Sequence, residues 1–257
     1  MRLLAKALLT FVLLGGFVTV QDTDAGKPEV RTMLDRMAET FRNKIDDDFE
    51  LVAQIDIDEG RETWHIIVEK ERQINIGRGA HKEAEFTFLT TQETLKRIYD
   101  GKLTAQTAAG KASGEEPAPL DLRLAEGLEF TPEIRTRLYT FLYHFFNRTD
   151  PEKILLGEEY SRMLHGAHVV ALYYHPGFRS AWYMLKKGEK LNEPGDTNPY
   201  PQAFIFIEGE GYAKIGDQTV KVKTGESYYI PPNSDHIVWT NGKKPLILIW
   251  LAWGEGS

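Results

Sequence analysis

The sequence predicts two folded units of different class: an α+β domain with helices on an antiparallel sheet, then an all-β barrel or jelly roll, joined by a long aromatic helix. Three observations carry that reading. Residues 28 to 125 switch between helical and strand periodicities, residues 131 to 149 form one broad apolar helical pattern rich in phenylalanine and tyrosine, and residues 165 to 253 break into short strands divided by glycine and proline. The expected division is 1–25 as a leader, 28–125 as the first domain, 126–160 as a linker carrying the helix, and 161–257 as the second domain.

Composition limits the functions open to the chain. Its 257 residues, 42% of them hydrophobic, suffice for two cores of ordinary size. With 31 basic against 38 acidic side chains, a net charge of -7 and no basic block, it lacks the electrostatic footprint of a nucleic-acid binder. The absence of cysteine excludes disulfides, thiolate metal sites, cysteine nucleophiles and lipoprotein acylation.

At the amino terminus, Arg2 and Lys6 stand with the apolar run ALLTFVLLGGFVTV, Ala7 to Val20, whose length lies between a signal-peptide core and a full membrane span. Residues 1–25 therefore read as a signal peptide or an uncleaved membrane anchor, with an extracytoplasmic protein, secreted or anchored to the membrane, as the consequence. A buried first helix is the competing reading, and Gly15, Gly16 and the missing polar face count against it.

In the first domain, Val30, Met33, Leu34, Met37 and Phe41 have the spacing of an amphipathic helix. Period-two alternation follows at Phe49 to Ala53, Trp64 to Val68, Ile74 to Ile76 and Phe86 to Phe88, which predicts four antiparallel strands. Thr90 and Glu93 form a capping box ahead of a helix through Leu95 and Ile98, and a short helical piece follows in LTAQTAAG. With Trp64, the strand AEFTFL, and Gly101, Lys102, Gln106, Ala109, Gly110 and Lys111 in this order, the segment resembles the sterol carrier protein type-two family of lipid-binding domains. The resemblance implies an apolar tunnel between sheet and helices, here lined by Trp64, Ile66, Phe86, Phe88, Leu95 and Ile98, that takes a lipid or similar molecule. The sequence departs from the family late: the last strand is shortened to KASG, and EEPAPLDL stands where a closing helix would be. The same elements could equally form a filled core that carries the second domain.

The connecting helix opens at Thr131, Pro132 and Glu133 and runs through TPEIRTRLYTFLYHFFNRT. Its apolar positions cover about 200° of the circumference, more than one packing surface buries. Three surfaces are open to it: both domains of its own chain, a second copy in a homodimer through 132–148, or a ligand in the first domain.

The second domain offers eight strands between Val169 and Trp253. Gly225, Pro231, Asn233, His236 and Thr240 follow the second sequence motif of the cupin superfamily, with Asn233 in place of a glycine and Thr240 in place of an asparagine; Gly188 and Gly209 match the ends of its first motif. The chain from 161 to 257 thus resembles a cupin of type two, a fold that usually holds a divalent transition metal on three histidines and a glutamate. Here Gln202 stands at the glutamate position, and Asp196 and Asn198, or Gly195 and Thr197, at the two histidine positions. One imidazole with Gln202 and at most Asp196 is a weak donor set, so no metal is the favoured expectation; His165, His168 and His175 lie upstream as conceivable extra donors. Strand alternation turns Phe204 and Phe206 inward with Gln202, and Val238 and Thr240 with His236. That pocket, mostly apolar with an imidazole and an amide, suits an apolar ligand with one polar group.

The sequence thus points to an exported or membrane-tethered binding protein for a lipid or other apolar small molecule, with a cupin domain lacking the standard metal site. Against it stands a metal-dependent cupin oxygenase or isomerase acting on a lipid-like substrate, and a purely structural module comes third.

Overall fold

The computed structural model describes residues 29–112 and 116–257. The leader expected at 1–25 lies outside them, and among the described residues no helix is long and apolar enough to cross a membrane.

The first domain begins with α1 (Val30–Phe41), whose buried positions Val30, Met33, Leu34, Met37, Ala38 and Phe41 follow the predicted stripe. Strands β1 (Leu51–Ile57), β2 (Glu62–Glu69) and β3 (Gln73–Arg78) form an antiparallel meander. The fourth strand departs from the antiparallel expectation: β4 (Phe86–Thr90) pairs parallel with β1, in register from Ala53 opposite Phe86 to Ile57 opposite Thr90. A parallel neighbour must start at the same end as its partner, so the chain crosses back between β3 and β4 through residues 79–85. That return passes over the meander, where the His81 backbone N–H donates to Gln54 Oε1 at 3.1 Å and the His81 and His65 rings lie 5.2 Å apart. His65 in turn covers Gly77, where an added Cβ would stand 2.2 Å from its ring nitrogen.

After β4 come α2 (Gln92–Tyr99), α3 (Ala105–Ala109) and β5 (Leu120–Leu124). The cap of α2 sits one residue later than expected: Thr91 accepts from the Thr94 N–H at 3.1 Å, while Thr90 ends β4 and donates to the Pro119 carbonyl. The sheet ends with Leu120–Leu124, which pairs antiparallel with β4 and completes the order β3-β2-β1-β4-β5; of the expected strand KASG, Lys111 and Ala112 are not in a strand and the other two residues lie outside the described residues.

The connecting helix is shorter than 131–149. α4 (Pro132–Thr140) is capped by Thr131 and widens into one π-helical turn over Phe141–Phe145. Its apolar positions are covered within the chain. Ile134, Leu138, Phe141, Leu142, Phe145 and Phe146 join the first core, with Phe141 5.7 Å from both Phe41 and Phe88 between ring centroids. Tyr139 and Tyr143 reach the other way, to Tyr174 at 6.2 Å and Tyr173 at 5.5 Å in the second domain. The breadth of the apolar face is thereby explained by contact with both domains.

This packing corrects the expected tunnel. Trp64, Ile66, Phe86, Phe88, Leu95 and Ile98 are all buried in one filled core, because the phenylalanines after α4 occupy the space beneath the sheet. Of the six, Ile98 lines a cleft of about 320 Å³ that also touches Leu103, Gln106, Tyr143, Phe146 and Leu155.

The second domain holds ten strands. β6 (Arg162–Leu164), β7 (Ala167–His175), β8 (Phe178–Leu185), β10 (Gln202–Glu208), β13 (Ser227–Ile230) and β15 (Leu246–Trp253) form a six-stranded sheet ordered β13-β10-β15-β8-β7-β6. β9 (Lys190–Leu191), β11 (Glu210–Ile215), β12 (Gln218–Lys223) and β14 (His236–Trp239) form a four-stranded sheet ordered β12-β11-β14-β9. The two sheets share one apolar core between them, as a jelly roll does. Asn233 occupies the turn before β14 at a φ of 60°, a left-handed position where asparagine is the best tolerated substitute for glycine.

Candidate functional site

The first domain is docked over the mouth of the barrel through α3. Beyond the end of β6, the edge of β7 has no strand partner, and Thr107 fills that role: its Oγ1 accepts from the Ala171 N–H at 2.8 Å. Arg162 completes the junction. Its Nη1 donates to the Thr107, Ala108 and Gly110 carbonyls at 2.9, 3.0 and 2.7 Å, covering the carbonyl end of α3, where Thr107 also accepts from the Gly110 N–H at 3.3 Å.

Between α3 and the barrel interior lies a cavity of about 350 Å³. Gln106, Thr107 and Lys111 form its roof; Tyr183, Phe204, Trp250 and His236 belong to its barrel side, with Tyr174, Arg179, His165, Asn192 and Asn198 around them. At the ~30 Å³ that one water occupies in the liquid, this is room for about a dozen heavy atoms.

A chain of directed hydrogen bonds runs along one wall. The Trp250 indole N–H, which can only donate, reaches Gln202 Oε1 at 2.8 Å, so the carbonyl end of that amide is fixed. Asn198 Nδ2 donates to the same oxygen at 3.1 Å and lies 3.4 Å from His236 Nε2, and Asn198 Oδ1 accepts from the Tyr200 hydroxyl at 3.1 Å. On its other side His236 Nδ1 is 3.2 Å from the Ser234 carbonyl, which can only accept; the proton therefore sits on Nδ1 and Nε2 faces the Asn198 amide as an acceptor. Burial lowers the His236 pKa below its ordinary value, in keeping with a neutral ring. Burial also pushes the Tyr174 hydroxyl up to about 12 and raises that of Tyr183, so both remain protonated donors.

At the positions where the cupin resemblance expects metal ligands, His236, Asn198 and Gln202 thus bring one imidazole and two amides together, and Asp196 stands apart from them. Both lone pairs of Gln202 Oε1 are engaged and its remaining nitrogen is a donor, so the set does not fit a transition metal. Among the described residues no group of three or more histidine or acidic side chains is gathered closely enough to bind one. Asp196 is exposed and accepts from the Glu193 N–H within its own loop.

Of the residues expected in the pocket, His236 and Phe204 line the cavity, and Gln202 is fully buried within the hydrogen-bonded wall beside it. Phe206 and Val238 are packed into the barrel core instead. Thr240 pins a turn, donating to the Glu210 carbonyl at 2.8 Å and accepting from the Gly242 N–H. Spacing alone did not reveal Tyr183, Trp250, Arg179 or the roof from α3. One signal was available: Arg179 is a lone cation in the otherwise apolar strand FRSAWYML.

Residues 181–252 match the family described as a cupin domain. The second domain contains a cupin barrel. Among solved structures, the plu4264 protein of Photorhabdus luminescens is 19% identical, covering 40% of this chain and 87% of its own, with a TM-score of 0.37. A cupin 2 conserved barrel domain protein from Salinispora arenicola is also 19% identical over 40% of this chain and 88% of its own, TM-score 0.36. A protein from Thermotoga maritima described as a predicted oxalate decarboxylase is 14% identical over 34% of this chain and 79% of its own, TM-score 0.31. No curated protein matches the chain.

Proposed function

We infer that the protein is a binding protein for a small amphipathic molecule, exported or tethered to the membrane through residues 1–25, whose ligand sits in the cavity between the cupin barrel and α3. The observation that carries this reading is the roofed cavity of about 350 Å³, with a directed hydrogen-bonding wall on one side and apolar and aromatic side chains on the other. Its size favours a ligand of about a dozen heavy atoms over a sterol or a long acyl chain. The first domain, read as sterol-carrier-like, supplies the roof and the adjoining cleft at Ile98 and Phe146, with Gln106 as a shared wall. Native mass spectrometry of the full-length protein tests the reading: a copurifying small molecule displaced by blocking the cavity with Val169→Trp supports it, and an empty cavity that no added amphiphile enters ends it.

A metal-dependent oxygenase or isomerase rests on one observation, that His165 lines the same cavity as His236. Elemental analysis separates the two. A full equivalent of iron, manganese, copper or zinc that disappears in His236→Ala would favour the enzyme.

A further inference from the structure

The cavity is lopsided in charge. The chain carries a net charge of -7, yet no aspartate or glutamate lines this space, whereas Lys111, Arg179, His165 and His236 do. Carboxylates close to these cations are engaged: Asp121 pairs with Lys111 at 2.6 Å, Asp235 pairs with Lys214 at 2.8 Å and accepts from the Gly195 N–H, and the exposed Asp196 accepts from the Glu193 N–H. Once Lys111 is matched by Asp121 and His236 is neutral, one permanent cation is left without a counter-charge: Arg179. Among the described residues it makes no ion pair and donates no hydrogen bond, and its Nε is buried without a partner. Its guanidinium stands 5.8 Å from the Tyr174 ring centroid and 6.0 Å from that of Tyr200. These aromatic faces hold the guanidinium in place and leave the fork of N–H groups uncommitted.

A buried guanidinium donor with no acceptor costs free energy unless a ligand supplies one. A second donor on the same space shares that need: the Gln106 Nε2 amide, on a side chain over nine-tenths buried, has no partner among the described residues, and the Gln202 Nε2 amide in the wall beside the cavity has none either. Among the described residues, the fully buried side-chain atoms of the cavity lining that lack a partner, Arg179 Nε and Gln106 Nε2, are both donors, and the lining's one permanent cation without an ion pair is Arg179.

We propose that the ligand is a small monocarboxylate, its carboxylate held by the Arg179 fork between Tyr174 and Tyr200 and its carbon skeleton laid along Val169, Leu191 and Phe204. This rests on the cavity being the ligand site, and names the class of molecule that it takes. A carboxylate presents two oxygens to the fork in a planar, bidentate match and brings one negative charge to one positive one. A phosphate monoester, carrying about -1.5 to -2 at neutral pH, would be left with uncompensated charge in a partly desolvated space.

The test is isothermal titration of the full-length protein with octanoate, 3-phenylpropanoate, octanol and octylammonium, repeated on Arg179→Gln and Arg179→Lys. A carboxylate should bind at one site about tenfold or more tighter than octanol, with octylammonium the weakest, as expected for loss of a charge-assisted pair. In Arg179→Gln that preference should collapse to within about threefold, chiefly through weaker carboxylate binding, with the fold checked by circular dichroism. Arg179→Lys, which keeps the charge and loses the fork, should fall between, and it decides the matter should the glutamine variant not fold. Octanol binding as tightly as octanoate, or a preference that survives Arg179→Gln, would overturn the proposal and leave the ligand site standing. No binding of any probe to a folded protein would remove the ligand-site reading, and this proposal with it.

Discussion

Replacing Arg162 by methionine should open the roof of the cavity, and the size of the effect follows from the geometry. A single nitrogen, Nη1, serves three carbonyl oxygens, at 2.9 Å to Thr107, 3.0 Å to Ala108 and 2.7 Å to Gly110. That nitrogen carries two protons, so the three contacts amount to two bonds with at least one shared. Hydrogen bonds to a charged group contribute about 1.5 to 3 kcal/mol each, and the junction is only partly buried, so two at the lower bound give about 3 kcal/mol. Methionine keeps the length of the apolar stem, which confines the loss to the polar contacts. Urea unfolding followed by tryptophan fluorescence should show a loss of about that size, together with faster amide exchange over residues 103–110 and weaker binding of any cavity ligand. A loss under about 0.5 kcal/mol with unchanged exchange would refute the argument that Arg162 holds α3 on the barrel.

Other outcomes follow from the same contacts. Thr107→Val removes the acceptor for the Ala171 N–H and should cost about 1 to 3 kcal/mol in the same unfolding assay, because that amide has no strand partner to turn to. Phe141→Ala should cost about 3 to 5 kcal/mol, since the ring is fully buried against Phe41, Phe88 and Phe145. His236 has a lowered pKa in the folded state, so its neutral form is favoured by folding; its contribution is intact above the unfolded value of about 6.5 and is lost as pH falls below it. Thermal melts from pH 7.5 to 5.5 should therefore show a steeper decline for the parent protein than for His236→Gln. Gln202→Glu places a carboxyl in a fully buried position, where burial opposes ionisation and raises its folded pKa. The variant should be closest to parental stability at acidic pH and lose ground as pH rises through the unfolded value of about 4.3, checked by melts at pH 5 and 8.

Much of the architecture was legible because each element carries its own signal. The stripe of α1, the glycine and proline punctuation of the barrel strands and the Thr131 cap are local patterns, and local hydrogen bonding and burial reproduce them. The candidate site was half legible. Asn198, Gln202 and His236 were placed together by a sequence motif, and the structure joins them in one hydrogen-bonded wall. The facing of β8 was not readable, since both of its sides are buried: Ala181, Tyr183 and Leu185 point into the barrel core, while Trp182 and Met184 pack outward against Ile154 and Tyr160. A period of two gives phase only when one face is wet.

By itself, the sequence determined the order and class of most elements and the presence of Gln202 and Asn198 where the cupin resemblance expects metal ligands. Only the tertiary structure decided that β4 runs parallel to β1, that phenylalanines fill the space expected of a tunnel, and that α3 and Arg162 close the barrel into a cavity facing Arg179. The division has a physical cause. Periodicity, caps and turns depend on neighbours a few residues away, whereas the roof depends on Thr107 meeting Ala171 and on Arg162 meeting Gly110, contacts between segments more than fifty positions apart whose pairing leaves no mark on local composition.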